Sequence, residues 1–315
     1  MKALSKYIYQ KFGYFVVAII LFGYNLFMKK IILLLVLLST YIFSNINIVV
    51  SILPEKSFVK AVGGKKVNVS VMVLPGNSPH TYEPKPSQMK EIAKANLYFA
   101  IGVEFEKIWL PRFKDLNGKM QIIDLTQGIT KLPMQAHEHH GEHTGHKHEE
   151  MGYSSLDPHV WTSPANVRII AKNIYNALAK ADPENKEYYR QNLDSFISKI
   201  NETDRKIRAI LAKIPKGSKF MVFHPSWGYF AHEYGLVQLP VEVEGKSPKP
   251  RELIALIKEA RAEKIKAIFT QPEFSDAAAQ TMAKELKISV IKVSPLSKKW
   301  SENLLNIARA IAGNK

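Results

Sequence analysis

From residue 45 onward, apolar and polar positions alternate between two rhythms. NIVVSILP at 47–54 is an apolar run ending in proline, and KKVNVSVMVLP at 65–75 alternates with a period of two before another proline. Both patterns predict buried strands stopped by a breaker, with a short helix at 57–63 between them. Pro86-Ser87-Gln88 then predicts a helix to Ala95, followed by a strand at 97–102, a helix at 104–112 and a strand at 120–124. After an irregular stretch, Ser163-Pro164 opens a helix reaching about Lys180, because proline is favoured at the first helical position.

The longest helical pattern covers 184–213. Leu193, Phe196, Ile197, Ile200, Ile207, Ile210, Leu211 and Ile214 recur mostly three or four apart. Roughly 28 residues at 1.5 Å each reach about 42 Å, longer than a small domain is wide. A second strand–helix series follows at once: strands at 219–223, 236–242, 267–270 and 289–293, and helices at 228–234, 250–263, 277–286 and 301–312. The expected architecture is α/β, with two parallel-sheet lobes joined by one long helix. The lobes are placed at 45–183 and 214–315, with 184–213 as the connector.

Residues 1–44 stand apart. They carry Lys2, Lys6, Lys11, Lys29 and Lys30, no acid, and two apolar runs shorter than a membrane span. Met28-Lys29-Lys30 followed by ILLLVLLSTYIFS has the form of a secretory signal, so Met28 is the expected start and 28–44 the expected signal peptide; an uncleaved N-terminal anchor over both runs, interrupted at Asn25 and Lys29-Lys30, is the alternative. Loss of this leader lowers the net charge from +16 to +11, as five lysines and no acids leave with it. The remaining basic residues are scattered and export argues against a nucleic-acid partner, so the charge reads as a lysine-rich surface. With no cysteine anywhere, neither a disulfide nor a lipid-modified cysteine is available.

Histidine use is uneven. Of ten, His137, His139, His140, His143, His146 and His148 crowd into 137–150 beside four glutamates. Neutral imidazoles ligate borderline metals, but a low-complexity tract is a poor frame for a defined tetrahedral site. These six are therefore expected to be accessory, weak metal sites. His80, His159 and His224 differ: each follows a strand end or an irregular segment, and each adjoins a proline (Pro79, Pro158, Pro225). Ligands of open α/β sheets gather at the carboxyl ends of strands, and proline stiffens a backbone that must present a ligand. Three imidazoles around Zn²⁺ leave a fourth position open. His232, inside a predicted helix, reads as a surface residue.

Four segments carry a specific resemblance: LPGNSPHTYEP at 74–84, DPHVW at 157–161, FHPSWGYF at 223–230 and EVEGKSP at 242–248. Their sequence and order are similar to those of the zinc-uptake solute-binding proteins, the periplasmic receptors of metal ABC transporters. The resemblance extends over about 46–312 and includes the acidic histidine-rich loop. It implies two Rossmann-like lobes joined by a rigid long helix, with metal in the cleft between them. His80 and His159 would come from the first lobe and His224 from the second.

Manganese-type relatives place a carboxylate where His224 stands, so the resemblance points to zinc. Many relatives have an aspartate before a late Pro-Leu pair; here Ser294 precedes Pro295-Leu296. That leaves the fourth position open among water, Glu273 and a histidine of the loop, with Glu273 and Ser294 as the residues expected either to complete the site or to support its ligands. Asp157 reads as an acceptor that orients the chain before His159. The expected function is a monomeric, non-enzymatic receptor that captures Zn²⁺ in the periplasm and delivers it to an ABC permease in the inner membrane. A manganese receptor, a metal-containing surface adhesin and a secreted zinc hydrolase are the alternatives. The hydrolase lacks an H-E-x-x-H helix.

Overall fold

Two parallel sheets of identical strand order dominate the computed structural model, which describes residues 45–134, 156–242 and 246–313. The leader with its expected start and signal peptide, the six histidines of 137–148 and Val243-Glu244-Gly245 lie outside the described residues. In the first lobe, β1 (Ile46–Val50), β2 (Val67–Val71), β3 (Leu97–Ala100) and β4 (Gln121–Asp124) line up in the order β2-β1-β3-β4. In the second, β5 (Lys219–Val222), β6 (Val237–Pro240), β7 (Ala267–Thr270) and β8 (Ser289–Lys292) repeat it as β6-β5-β7-β8. Every neighbouring pair is parallel. In each sheet the strand order reverses beside the first strand, which opens a crevice at the carboxyl ends.

Helices cover these sheets: α1 (Leu53–Gly63), α2 (Pro86–Lys94), α3 (Glu104–Leu116) and α4 (Pro164–Ala181) in the first half of the chain. Pro54 does not end a strand. It sits in the first turn of α1, where its missing N–H goes unneeded, so the helix begins four residues before the apolar pattern predicts. The long helix, α5, runs Lys186–Leu211 after a short 3₁₀ turn at Pro183–Asn185. Its 26 residues extend about 39 Å. Tyr189, Leu193, Phe196, Ile200, Thr203, Ile207 and Leu211 form one buried stripe at three- and four-residue spacing. The second lobe adds α6 (Gly228–Tyr234), α7 (Pro250–Ala262), α8 (Ala277–Leu286) and α9 (Trp300–Ala312). Among the described residues, no helix is long and apolar enough to cross a membrane.

The long helix joins the lobes by packing on both: α1 and α4 lie against it from the first, α9 from the second. One apolar interior consequently runs from Ile48 and Phe99 through Ile200 to Phe220, Val222 and Trp300. The other face of β5, with Met221 and Phe223, builds a separate core under α7 and α8 with Leu256 and Met282. Hydrogen bonds stitch the seam. Trp161 Nε1 donates to the Pro295 carbonyl at 2.8 Å, and Trp300 Nε1 donates to the Trp161 carbonyl at 2.7 Å. Ser57 Oγ reaches the Lys298 carbonyl at 2.8 Å.

A polar cluster is buried at the carboxyl end of the first sheet. Glu55 Oε2 accepts from the Ser51 and Ile52 amides at 3.0 and 2.9 Å, and Glu106 accepts from the Ile101 and Gly102 amides and from Ser51 Oγ. Burial outweighs these bonds and pushes Glu106 up to about 7, and Glu55 also upward, from an ordinary 4.5. A carboxyl raised in the folded state stays protonated while the unfolded chain ionises. Stability of the metal-free protein should therefore fall as pH rises from about 4.5 to about 7, by about 3 kcal/mol from Glu106. Urea unfolding at pH 5 and pH 8 would reveal this slope, and Glu106→Gln should reduce it to the part that Glu55 contributes. An equal slope in the variant would assign the effect elsewhere.

Candidate metal centre

The three proline-flanked histidines converge from separate loops. His80 lies in the loop between β2 and α2, where its amide donates to Ser78 Oγ at 3.3 Å. Gly76 lets that loop turn with a φ of +80°, a conformation glycine adopts without steric penalty. His159 follows the Asp157-Pro158 step and enters a 3₁₀ turn, Val160–Thr162, with Thr162 Oγ1 donating to its carbonyl at 2.9 Å. His224 lies two residues past β5, at the point where strand order reverses. The Gln271 side chain, just beyond β7, brackets it: Nε2 donates to the His224 carbonyl at 2.8 Å and Oε1 accepts from its amide at 3.3 Å.

His80 Nε2 and His224 Nε2 are 3.2 Å apart. Ring centroids stand 4.8 Å apart for His80–His224, 5.3 Å for His159–His224 and 6.3 Å for His80–His159. Among the described residues, these three form the group of metal-ligating side chains whose donor atoms all lie within 4.8 Å of one another. Two imidazoles bound tetrahedrally to zinc, each about 2.0–2.1 Å from it, place their nitrogens roughly 3.3 Å apart. The separation between His80 and His224 is already of that size.

Each histidine has its own carboxylate. His159 Nδ1 donates to Asp157 Oδ1 at 2.7 Å, and the His159 amide donates to the same oxygen at 2.9 Å. His224 Nδ1 donates to Glu242 Oε1 at 2.8 Å. His80 Nδ1 lies 3.2 Å from Glu104 Oε2, at the first residue of α3. A carboxylate on Nδ1 selects the tautomer with its lone pair on Nε2 and raises that nitrogen's basicity. The hydrogen bonds to Asp157 and Glu242 favour that tautomer at His159 and His224, Glu104 sets a charge beside Nδ1 of His80, and the three carboxylates offset the charge of a divalent cation.

The electrostatics of the rings differ. At His80 burial opposes a proton, yet the hydrogen bond and charge of Glu104, with Glu242 beyond, outweigh it and raise the pKa above 6.5. Glu104 answers in the opposite direction: burial would raise it, but His80 holds it down to about 2. At His224 burial dominates, aided by the charges of His159 and His80 and opposed by Glu242, so its pKa lies below the ordinary value. Phe274 stacks on His224 at 4.8 Å with a 23° interplanar angle and shields that side of the site.

Glu273 and Ser294 meet each other instead of joining the donor group: Ser294 Oγ donates to Glu273 Oε1 at 3.0 Å. Burial shifts the Glu273 carboxyl upward. His232 is exposed on α6. Sequence reasoning assigned no role to Glu104, Glu242, Gln271 or Phe274. A glutamate opening the helix directly after a strand was the available signal for Glu104, and Glu242 stood inside a quoted segment.

The chain matches the family described as zinc-uptake complex component A periplasmic over residues 48–312. It is 30% identical over 245 residues to the high-affinity zinc uptake system protein ZnuA of Bacillus subtilis, covering 76% of this chain and 75% of that one. It is 29% identical over 290 residues to the zinc-binding protein AdcA of Streptococcus pyogenes, which covers 85% of this chain but 56% of AdcA. The chain thus spans little more than half the length of the AdcA relatives it matches. Among solved structures, a crystal structure of ZnuA superposes with a TM-score of 0.77 at 39% identity, covering 86% of this chain and 99% of that chain. The laminin-binding adhesin Lmb of Streptococcus agalactiae, at 22% identity and a TM-score of 0.71 over 85% of this chain and 99% of that one, shares the fold. By sequence and by fold, this chain belongs to the family of the periplasmic component A of zinc-uptake complexes.

Proposed function

We propose that the protein is a high-affinity zinc receptor that captures Zn²⁺ with His80, His159 and His224 and delivers it to an ABC permease in the inner membrane. The observation that carries this reading is the trio of imidazoles whose Nδ1 atoms each face a carboxylate while their donor atoms gather within 4.8 Å. The names of the ZnuA and AdcA relatives support zinc as the cargo. We assign the fourth position to water on the side of His80, whose side chain is 27% exposed. Export through the signal peptide at 28–44, and weak accessory binding by the tract at 137–148, belong to the same proposal. So does a monomeric receptor that carries out no reaction on its cargo.

Competitive titration of the metal-free protein against a chromophoric chelator tests it, with zinc and with manganese. Zinc should bind in the nanomolar range, about −12 kcal/mol, and manganese at least about 100-fold more weakly, as imidazole donors favour the later metal. Only neutral imidazole binds the ion. His80, with its raised pKa, takes up a proton first, so affinity should begin to fall while pH is still above 6.5. His224, shifted downward, joins only at lower pH. We expect at least a tenfold loss between pH 7.5 and 5.5. Manganese binding as tight as zinc, or a flat pH profile, would sink the proposal.

A further inference from the structure

His159 and Asp157 belong to the first lobe, yet the wall confining the Asp157 carboxylate comes from the second. Gly228 is the first residue of α6. A β-carbon built there would stand 2.6 Å from Asp157 Oδ2 and 3.3 Å from the Gln238 amide nitrogen. Carbon and oxygen do not approach to 2.6 Å without strong repulsion, so something would have to move. Neither neighbour is free to do so. Asp157 is 1% exposed, and its other oxygen is held by both the amide and the ring of His159. Gln238 is 2% exposed; its Oε1 accepts from the Trp227 amide at 3.0 Å, and its Nε2 donates to the Pro225 carbonyl at 3.4 Å.

Backbone conformation does not call for glycine at this position, because Gly228 is absent from the residues with positive φ. What its missing side chain supplies is room for one carboxylate oxygen. The next residue adds a second hold: Tyr229 Oη donates to the Asp157 carbonyl at 2.8 Å and accepts from the Leu132 amide at 3.0 Å.

We infer that Gly228 is a positioning residue for zinc capture: the bare backbone at 228 lets the Asp157 carboxylate seat against the second lobe, and that carboxylate aims the His159 ring at the ion. This rests on the reading of His159 as a zinc ligand. A methyl group at 228 displaces the carboxylate, and the His159 ring loses the partner that fixes its tautomer.

The test is a double-mutant cycle on the full chain with Gly228→Ala, Asp157→Ala and the combined variant. Zinc affinity would be read by chelator competition, and folding by thermal unfolding of the metal-free proteins. Each single variant should bind zinc about 10–100-fold more weakly. Because Gly228 acts through Asp157, adding Gly228→Ala to Asp157→Ala should produce no further loss. Unchanged affinity in Gly228→Ala, or an equal loss in both backgrounds, overturns the inference. Should Gly228→Ala fail to fold, the combined variant must fold as Asp157→Ala does, since the 2.6 Å clash is gone and the Gln238 amide, 3.3 Å away, need give only a few tenths of an ångström into the space the carboxylate leaves; failure of both overturns it too. Nitrogen-15 shifts of His159 in the metal-free protein separate this claim from the functional one. The Nδ1–H tautomer should dominate in the native chain and be lost in Gly228→Ala, whatever the zinc affinity proves to be.

Discussion

Replacing His224 by alanine should weaken zinc binding by about 10²–10³-fold, the largest effect expected from any single substitution at the site. Structural zinc sites yield about 10–16 kcal/mol from four ligands, so one imidazole contributes roughly 3–4 kcal/mol. His224 occupies the most enclosed position of the three. Its residue is 5% exposed, Phe274 covers its face and Glu242 holds its far nitrogen. Water entering the space left by the ring would restore a ligand to the ion only without that fixed orientation. The substitution also strands Glu242, itself 7% exposed, without its N–H donor. Loss of a partner for a buried group costs about 1–3 kcal/mol, so the metal-free variant should also unfold at lower denaturant. His80→Ala should also lower affinity, with a smaller loss of stability: Glu104 loses the partner that holds its carboxyl down, but its side chain as a whole is 35% exposed, against a buried Glu242. His232→Ala, on the exposed face of α6, should alter neither. Isothermal titration decides the matter, and a His224→Ala protein that binds zinc as tightly as the native chain would remove His224 from the site.

The sequence carried the periodic part of this structure well and the cross-chain part poorly. The stripe on α5 is written at three- and four-residue spacing because a helix reads its neighbours by local geometry alone. The three ligand-type histidines stood out through their prolines and the strand ends before them. Their carboxylate partners did not. Glu104 lies 24 residues from His80 and Glu242 lies 18 from His224, and both pairings follow from strand order, which hydropathy does not encode. Strand β5 shows the same limit. Phe220 and Val222 point into the interior shared by both lobes, whereas Met221 and Phe223 point into the core under α7 and α8. Alternation in the sequence announces two apolar faces without saying which one seals the lobes together. Pro54 misled for a related reason, since proline both stops strands and starts helices, and only the chain's onward path selects between them.

The shared interior leads to the second large effect: Trp300→Ala should destabilise the metal-free protein by about 3–5 kcal/mol. Trp300 opens α9, is 7% exposed, and meets Phe58 of α1 edge-on with ring centroids 5.7 Å apart. Its indole N–H also holds the Trp161 carbonyl, and Trp161 returns the bond to Pro295, so one residue supports the seam by packing and by polarity. Against a total stability of about 5–15 kcal/mol the variant should remain folded at 25 °C, with its urea midpoint clearly lowered. Trp300→Phe keeps much of the ring contact and loses only the N–H, so its loss should be nearer 1–3 kcal/mol. The effect should also reach the metal. Trp161 lies two residues beyond His159, with rings 5.3 Å apart, so loosening the seam should weaken zinc binding in Trp300→Ala more than in Trp300→Phe. Zinc at about 1,000 times its dissociation constant contributes about 4 kcal/mol by linkage, enough to restore most of the lost midpoint. If Trp300→Ala shifts the midpoint by less than about 1 kcal/mol, the lobes do not depend on a common interior, and the site must be held by its loops alone.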